Sequence, residues 1–233
     1  MSAETLPHII GYEFARGELL QEALTHPSAL VPEARRRRSR MPAKRGYERL
    51  EFLGDRVLGL VVADCLWRRF AGEPEGDLTR RHTHLVRREA LARVADTIGL
   101  GRHLVLSRAE AAAGAANPGI LADACEALIA AIYLDGGFEA ASTFVRRFWA
   151  PLIDEMEEPP RDPKTALQEW AQARGLALPA YELVATSGPD HAPLFTVRAS
   201  VVGADPTTAT ASSKRSAEAK AAAMLIDRLR IDP

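Results

Sequence analysis

The chain has 233 residues, of which 47% are hydrophobic, 26% charged and 6% aromatic, with 16 Gly and 15 Pro. This ordinary globular composition excludes collagen-like, coiled-coil and wholly disordered chains and suits one or two domains, each burying its own core. The 30 Lys and Arg against 31 Asp and Glu leave a net charge of −1, which argues neither for nor against a nucleic-acid partner.

No uncharged apolar run approaches the ~18 residues of a membrane span, and Met1-Ser2-Ala3-Glu4 is not a basic-then-apolar signal sequence. Cys65 and Cys125 sit in separate apolar patterns without metal-type spacing. A disulfide framework or zinc site is therefore not expected, and a reducing, cytoplasmic location with no membrane partner is.

Residues 5–158 read as helices. Apolar side chains recur at helical spacing in Leu19-Leu20-Ala23-Leu24, in Leu50-Leu53-Val57-Leu60-Val61, in Leu85-Leu91-Val94-Ile98 and in Leu121-Leu128-Ile132. Gly99 and Gly101 stop one helix and Gly136-Gly137 another, while Asn117-Pro118 caps and opens the helix containing Asp123. Positions 35–49 carry the bases Arg35 to Arg38, Arg40, Lys44, Arg45 and Arg49 against Glu48 alone; such a run is ordinarily a solvated loop.

The texture changes at Glu157-Glu158-Pro159-Pro160-Arg161-Asp162-Pro163, where prolines hold their predecessors extended. Asp162-Pro163 opens a short helix ending near Gly175. Two β-rich runs follow, Tyr181–Ser187 and Leu194–Val202, then a threonine-rich run at Thr207–Ala211 and a helix over about Ser213–Arg230. The reading is two domains: an all-α domain over 1–156, a Pro-rich linker over 157–163, and a small α+β domain of order α-β-β-β-α over 164–233.

Two segments carry candidate chemistry. At about 100° per residue, Glu48, Glu51 and Asp55 fall within some 60° on one stripe. Leu50, Leu53, Val57, Leu60 and Val61 lie opposite, Leu58 and Val62 border the acids, and Gly59 would let a second helix approach closely. In Ile120–Tyr133, Asp123 and Glu126 share a face kept small by Ala127 and Ala130. Buried carboxylates cost several kcal/mol each unless paired or metal-bound. If the two helices face each other, Glu51, Asp55, Asp123 and Glu126 form an all-oxygen donor set suited to a hard divalent cation, Mg²⁺ or Mn²⁺. Two unrelated acidic pairs, bonded to helix ends and arginines, fit the periodicity equally well.

Glu48-Arg49-Leu50-Glu51-Phe52-Leu53-Gly54-Asp55 resembles the signature of the ribonuclease III family. Ile120–Ile129 and Tyr133-Leu134-Asp135-Gly136-Gly137 resemble its second acidic block. Ile10–Phe14, Ala23–Ala29 and Gly76-Asp77-Leu78-Thr79 resemble its other blocks. Asp162–Glu169, Gly188–His191 and Ser213–Glu218 resemble a double-stranded-RNA-binding domain.

The resemblance implies an all-α endonuclease domain followed by an RNA-binding domain. It implies metal ligation by Glu51, Asp55, Asp123 and Glu126, with Asp55 and Glu126 catalytic and Glu48 an accessory acid. It also implies a Mg²⁺ cofactor (Mn²⁺ as a substitute) with no organic cofactor, and a homodimer through the catalytic domain. The expected reaction cuts double-stranded RNA to 5′-phosphate and 3′-hydroxyl ends with short 3′ overhangs, in the processing of ribosomal RNA precursors and messenger RNA.

Gln168, His191 in its turn, Lys214 and Arg215 are the candidate RNA contacts, reading duplex shape rather than sequence. Ala209-Thr210-Ala211, His82, Gly119 and the alanine-rich 109–116 depart from the family pattern, which bears on RNA affinity. Two alternatives are an all-α nucleotide pyrophosphohydrolase, which leaves residues 162–233 unexplained, and a catalytically inactive RNA-binding relative, against which all four acids stand.

Overall fold

The computed structural model describes residues 5–30, 46–113, 117–189 and 193–229. The basic run over 35–45 and His191 therefore lie outside the described residues. The chain divides into two compact units, Met1–Pro160 and Arg161–Pro233.

The first unit is helical. Its elements are α1 (Leu6–Ile10), α2 (Gly17–Ala23), a 3₁₀ turn (Pro27–Ala29), α3 (Glu48–Arg69), α4 (Glu75–Leu85), α5 (Arg88–Thr97), a second 3₁₀ turn (Leu100–His103), α6 (Arg108–Ala113) and α7 (Pro118–Asp154). Asn117 caps α7 by accepting the Gly119 N–H at 2.9 Å, with Pro118 in the first turn. The sequence reading stops this helix at Gly136-Gly137. Instead, it breaks there and resumes: Gly137 has φ 79° and ψ −177° inside a segment that runs to Asp154. The break is pinned from α1's side. Asp135 accepts the Tyr12 hydroxyl at 2.8 Å and the Ala15 and Arg16 N–H groups at 2.9 Å. A Cβ on Gly136 would lie 2.3 Å from the Tyr12 oxygen, so a larger residue there must displace the Tyr12 side chain from Asp135.

Helices α3 and α7 form the main packing seam of the unit. Leu58, Val61, Val62 and Leu66 meet a core that includes Ala124, Ala127, Leu128, Ala131 and Ile132; each large apolar side chain so buried contributes about 1.5–3 kcal/mol. The buried face of α3 differs from the periodicity reading. Leu58 and Val62 are fully buried, whereas Leu60 is 60% exposed. The reason lies at Gly54, not Gly59. A Cβ on Gly54 would sit 1.8 Å from the Glu126 carbonyl oxygen, whereas one on Gly59 would meet only the His82 ring at 3.7 Å. The α7 backbone therefore lies on the row Gly54-Leu58-Val62, which rotates the acids to the edge of the seam. Arg81, the one buried charged side chain among the described residues, is held by Glu73 at 2.7 and 2.8 Å, donates to the Met156 carbonyl at 2.7 Å and stacks on Phe70.

The second unit comprises α8 (Pro163–Ala173), β1 (Ala180–Ser187), β2 (Leu194–Ser200), β3 (Thr207–Ala211) and α9 (Lys214–Leu229). The strands form an antiparallel sheet of order β1-β2-β3. Val197 lies opposite Leu183 on one side and Ala209 on the other. Asp162 caps α8 by accepting the Lys164 and Thr165 N–H groups. Leu167 and Ala171 of α8 pack with Ala199 of β2 and with Ala221, Ala222 and Leu225 of α9, and Lys164 bonds Glu218 at 2.6 Å across the two helices.

Candidate active site

Glu51 and Asp55 stand one turn apart on α3; Asp123 and Glu126 stand on the first turns of α7. All four are half-buried. The crossing at Gly54 brings these helices from distant parts of the chain together, because no side chain separates the α3 backbone from Glu126. As a result, one carboxylate oxygen from each of Glu51, Asp123 and Glu126 lies within 4.8 Å of the other two. Asp55 is adjacent but outside that triad, with its Oδ2 engaged by Arg56. Of the neighbouring charges, Asp55 nonetheless acts most strongly on Glu126. Glu48 is exposed at the start of α3.

Burial and mutual repulsion set the electrostatics. Burial first, then the charges of Asp55, Glu51 and Asp123, push Glu126 up from 4.5 to about 8. Glu51 is raised by burial and by Asp123, Glu48 and Asp55. Burial also raises Asp123, partly offset by Arg88 and His26. The neighbouring Tyr47 is buried, and its hydroxyl is pushed up by desolvation and by the Asp123, Glu51 and Glu48 charges. His26 meets Tyr47 edge to face at 5.5 Å and accepts the Ser28 N–H on Nδ1 at 3.0 Å. Three crowded carboxylates that resist ionising together, with no lysine among them, fit a hard divalent cation better than a soft metal, which would call for His or Cys donors.

Sequence reasoning missed Gly54 and Arg88. Gly54 was legible in principle: a glycine inside a strongly helical run costs about 1 kcal/mol against alanine, so it marks a place where something must come close. Arg88 carries no such signal, since its proximity to Asp123 depends on how α5 packs.

Residues 16–152 match the family model described as Ribonuclease-III-like, and residues 163–229 match the double-stranded RNA binding motif. The chain is 49% identical over 220 residues to Ribonuclease 3 of Azorhizobium caulinodans, covering 94% of this chain and 91% of that protein. It is 46% identical over 228 residues to Ribonuclease 3 of Rhodopseudomonas palustris, covering 97% and 81%. The chain belongs to the ribonuclease III family. Among solved structures, a ribonuclease III nuclease domain from Campylobacter jejuni superposes with a TM-score of 0.54 at 40% identity, spanning 61% of this chain and 92% of that one. Its description concerns flexibility in a region involved in dimer formation.

As a ribonuclease III, the chain is by homology an endoribonuclease of double-stranded RNA, with α3 and α7 in its nuclease domain. The pyrophosphohydrolase alternative is set aside by both family matches. The second unit is the RNA-binding domain, of order α-β-β-β-α as read from the sequence. Gln168 is exposed on α8, and Lys214 and Arg215 are exposed in the first turn of α9. Two of the departures have a described setting. Ala209 and Ala211 point inward, 9% and 7% exposed, so their methyl groups face the core. His82 sits against the Gly59 carbonyl, with Nε2 at 3.0 Å. Among the described residues no helix is long and apolar enough to cross a membrane.

Proposed function

We propose that the chain cleaves both strands of duplex RNA by Mg²⁺-assisted hydrolysis, with Mn²⁺ able to substitute, leaving 5′-phosphate and 3′-hydroxyl ends. The observation carrying this reading is the triad of half-buried carboxylates, Glu51, Asp123 and Glu126, drawn within 4.8 Å from two helices. When bound there, the cation supplies a more acidic water and neutralises charge building on the transferring phosphoryl group. The chain's own residues do the rest. Glu51, Asp123 and Glu126 hold the cation; uncompensated, their charge repels a phosphodiester. Asp55 stands beside Glu126 with Oδ2 taken by Arg56 and has Oδ1 to receive a proton from water. Asp55 and Glu126 are assigned to the chemistry, and Glu48, exposed on the same stripe, to orienting the site.

The nuclease domain is assigned to 1–156, the linker to 157–163 and the RNA-binding domain to 164–233. In the last, Gln168 reaches minor-groove hydroxyls, the segment 188–191, part of which lies outside the described residues, is assigned to the next minor groove, and Lys214 and Arg215 meet phosphate. Cations in a first helical turn are unfavourable by about 0.3–1 kcal/mol, and a phosphate there reverses the sign. Phe52, Leu60 and Trp67 are 66%, 60% and 72% exposed and fall within about 80° on α3. This apolar stripe supports a homodimer whose two sites face the two antiparallel strands and cut with a short 3′ stagger. Ribosomal RNA precursors and messenger RNAs in the cytoplasm are the assigned substrates.

The test incubates the protein with long duplex RNA, single-stranded RNA and dNTPs, with Mg²⁺ or EDTA. Cutting of the duplex alone, only with Mg²⁺ and with 5′-phosphate products, is expected, and Glu126→Gln abolishes it while duplex binding survives. Cleavage persisting in EDTA, or equal loss of binding and cleavage in the variant, contradicts the reading.

A further inference from the structure

Beside the carboxylates of the nuclease centre stands Arg88, to which the proposed hydrolysis gives no role. Gly119, Asp123 and Glu126 lie at i, i+4 and i+7 on α7, so they form one stripe. The Arg88 Cζ and Nε both lie 4.0 Å from where a Cβ on Gly119 would stand. The guanidinium therefore rests on the stripe one turn before Asp123, about 6 Å along the helix axis. At that distance a Cβ on Gly119 would be in ordinary van der Waals contact with it.

Arg88 opens α5 and is exposed. Among the described residues it makes no hydrogen bond or ion pair, its interaction with Asp123 being one of charge at longer range. The adjacent Arg87, by contrast, is committed to Glu89 at 3.5 Å. A planar guanidinium whose five donors make no hydrogen bond among the described residues, beside carboxylates, matches phosphate oxygens in shape and charge.

We propose that Arg88 is a substrate-binding residue of the nuclease centre that holds a backbone phosphate of the RNA strand next to the one being cut. The proposal rests on the assignment of cleavage to Glu51, Asp123 and Glu126. One helical turn is comparable with the step between neighbouring phosphates on a strand, so a strand with one phosphate at the triad can place the next at Arg88. The contact is made equally before and during bond breaking, so it acts on binding and not on the chemical step.

The test compares full-length wild-type protein with Arg88→Ala and Arg88→Lys on a defined RNA duplex with Mg²⁺, and uses Glu126→Gln as a control for the location of the centre. Arg88→Ala is expected to raise KM roughly three- to tenfold with kcat little changed. It should also lower the slope of log affinity against log salt by about one. Arg88→Lys should restore the slope and most of the affinity, and the thermal midpoints of all three should agree, because the side chain is exposed. An Arg88→Ala protein with wild-type KM and salt slope overturns the proposal, as does a loss that accompanies a lowered thermal midpoint and an unchanged slope. Cleavage surviving in Glu126→Gln would instead overturn the underlying assignment.

Discussion

A single hydrogen in place of a methyl group decides whether the two acidic helices can meet. With its Cβ position 1.8 Å from the Glu126 carbonyl oxygen, Gly54 is replaceable only if α3 and α7 separate. Gly54→Ala gains about 1 kcal/mol of helix propensity but meets an overpacking cost of typically 1–3 kcal/mol. The variant should melt lower than wild type and cut duplex RNA at least tenfold more slowly; an unchanged midpoint and rate would show that the crossing is looser. Glu126 sets a pH dependence. Its folded-state pKa is about 8 against an ordinary value of 4.5, so between these values the folded protein binds more protons than the unfolded one, and stability falls as pH rises. The metal-free protein should therefore lose thermal stability from pH 5 to pH 8, and Glu126→Gln, which carries no titrating carboxyl there, should flatten that slope. A rising midpoint over this range in the metal-free protein contradicts the electrostatic picture of the centre.

At the scale of elements, helix type and order were legible because apolar spacing and end signals agree: Asn117-Pro118 opens α7, Asp162-Pro163 opens α8 and Gly99 follows α5. The facing of α3 was not legible. Its sequence is apolar on nearly every side, so periodicity alone placed Leu60 inward and Leu58 at the margin, the reverse of what packing selects. The stop at Gly136-Gly137 was half right, because a positive-φ glycine breaks a helix without saying whether helix resumes beyond it. The triad could be anticipated as two acidic segments, but the withdrawal of Asp55 toward Arg56 depends on a neighbouring side chain whose orientation periodicity cannot fix. In the RNA-binding domain, Lys214 and Arg215 are exposed at the start of α9. Lys214→Ala with Arg215→Ala should weaken duplex binding and reduce its salt slope by one to two units; an unchanged slope removes them from the interface.

At the scale of the whole molecule, the apolar stripe of Phe52, Leu60 and Trp67 on α3 lies on the helix that also presents Glu51 and Asp55. The proposed assembly and the proposed catalysis thus share one element, and a homodimer built on that stripe would set the spacing of its two centres. Trp67→Glu should shift the protein from dimer to monomer in sedimentation velocity and abolish paired, staggered cuts, whereas a dimer that persists would move the interface elsewhere. All of this depends on Glu51, Asp123 and Glu126 jointly holding one kind of ion. The most direct measurement is calorimetric titration of Mn²⁺ into the RNA-free protein, comparing wild type with Asp123→Asn and Glu126→Gln. Saturable binding in the wild type, weakened at least tenfold by either substitution while the fold is retained, is the predicted result; binding of equal strength in all three proteins would contradict it.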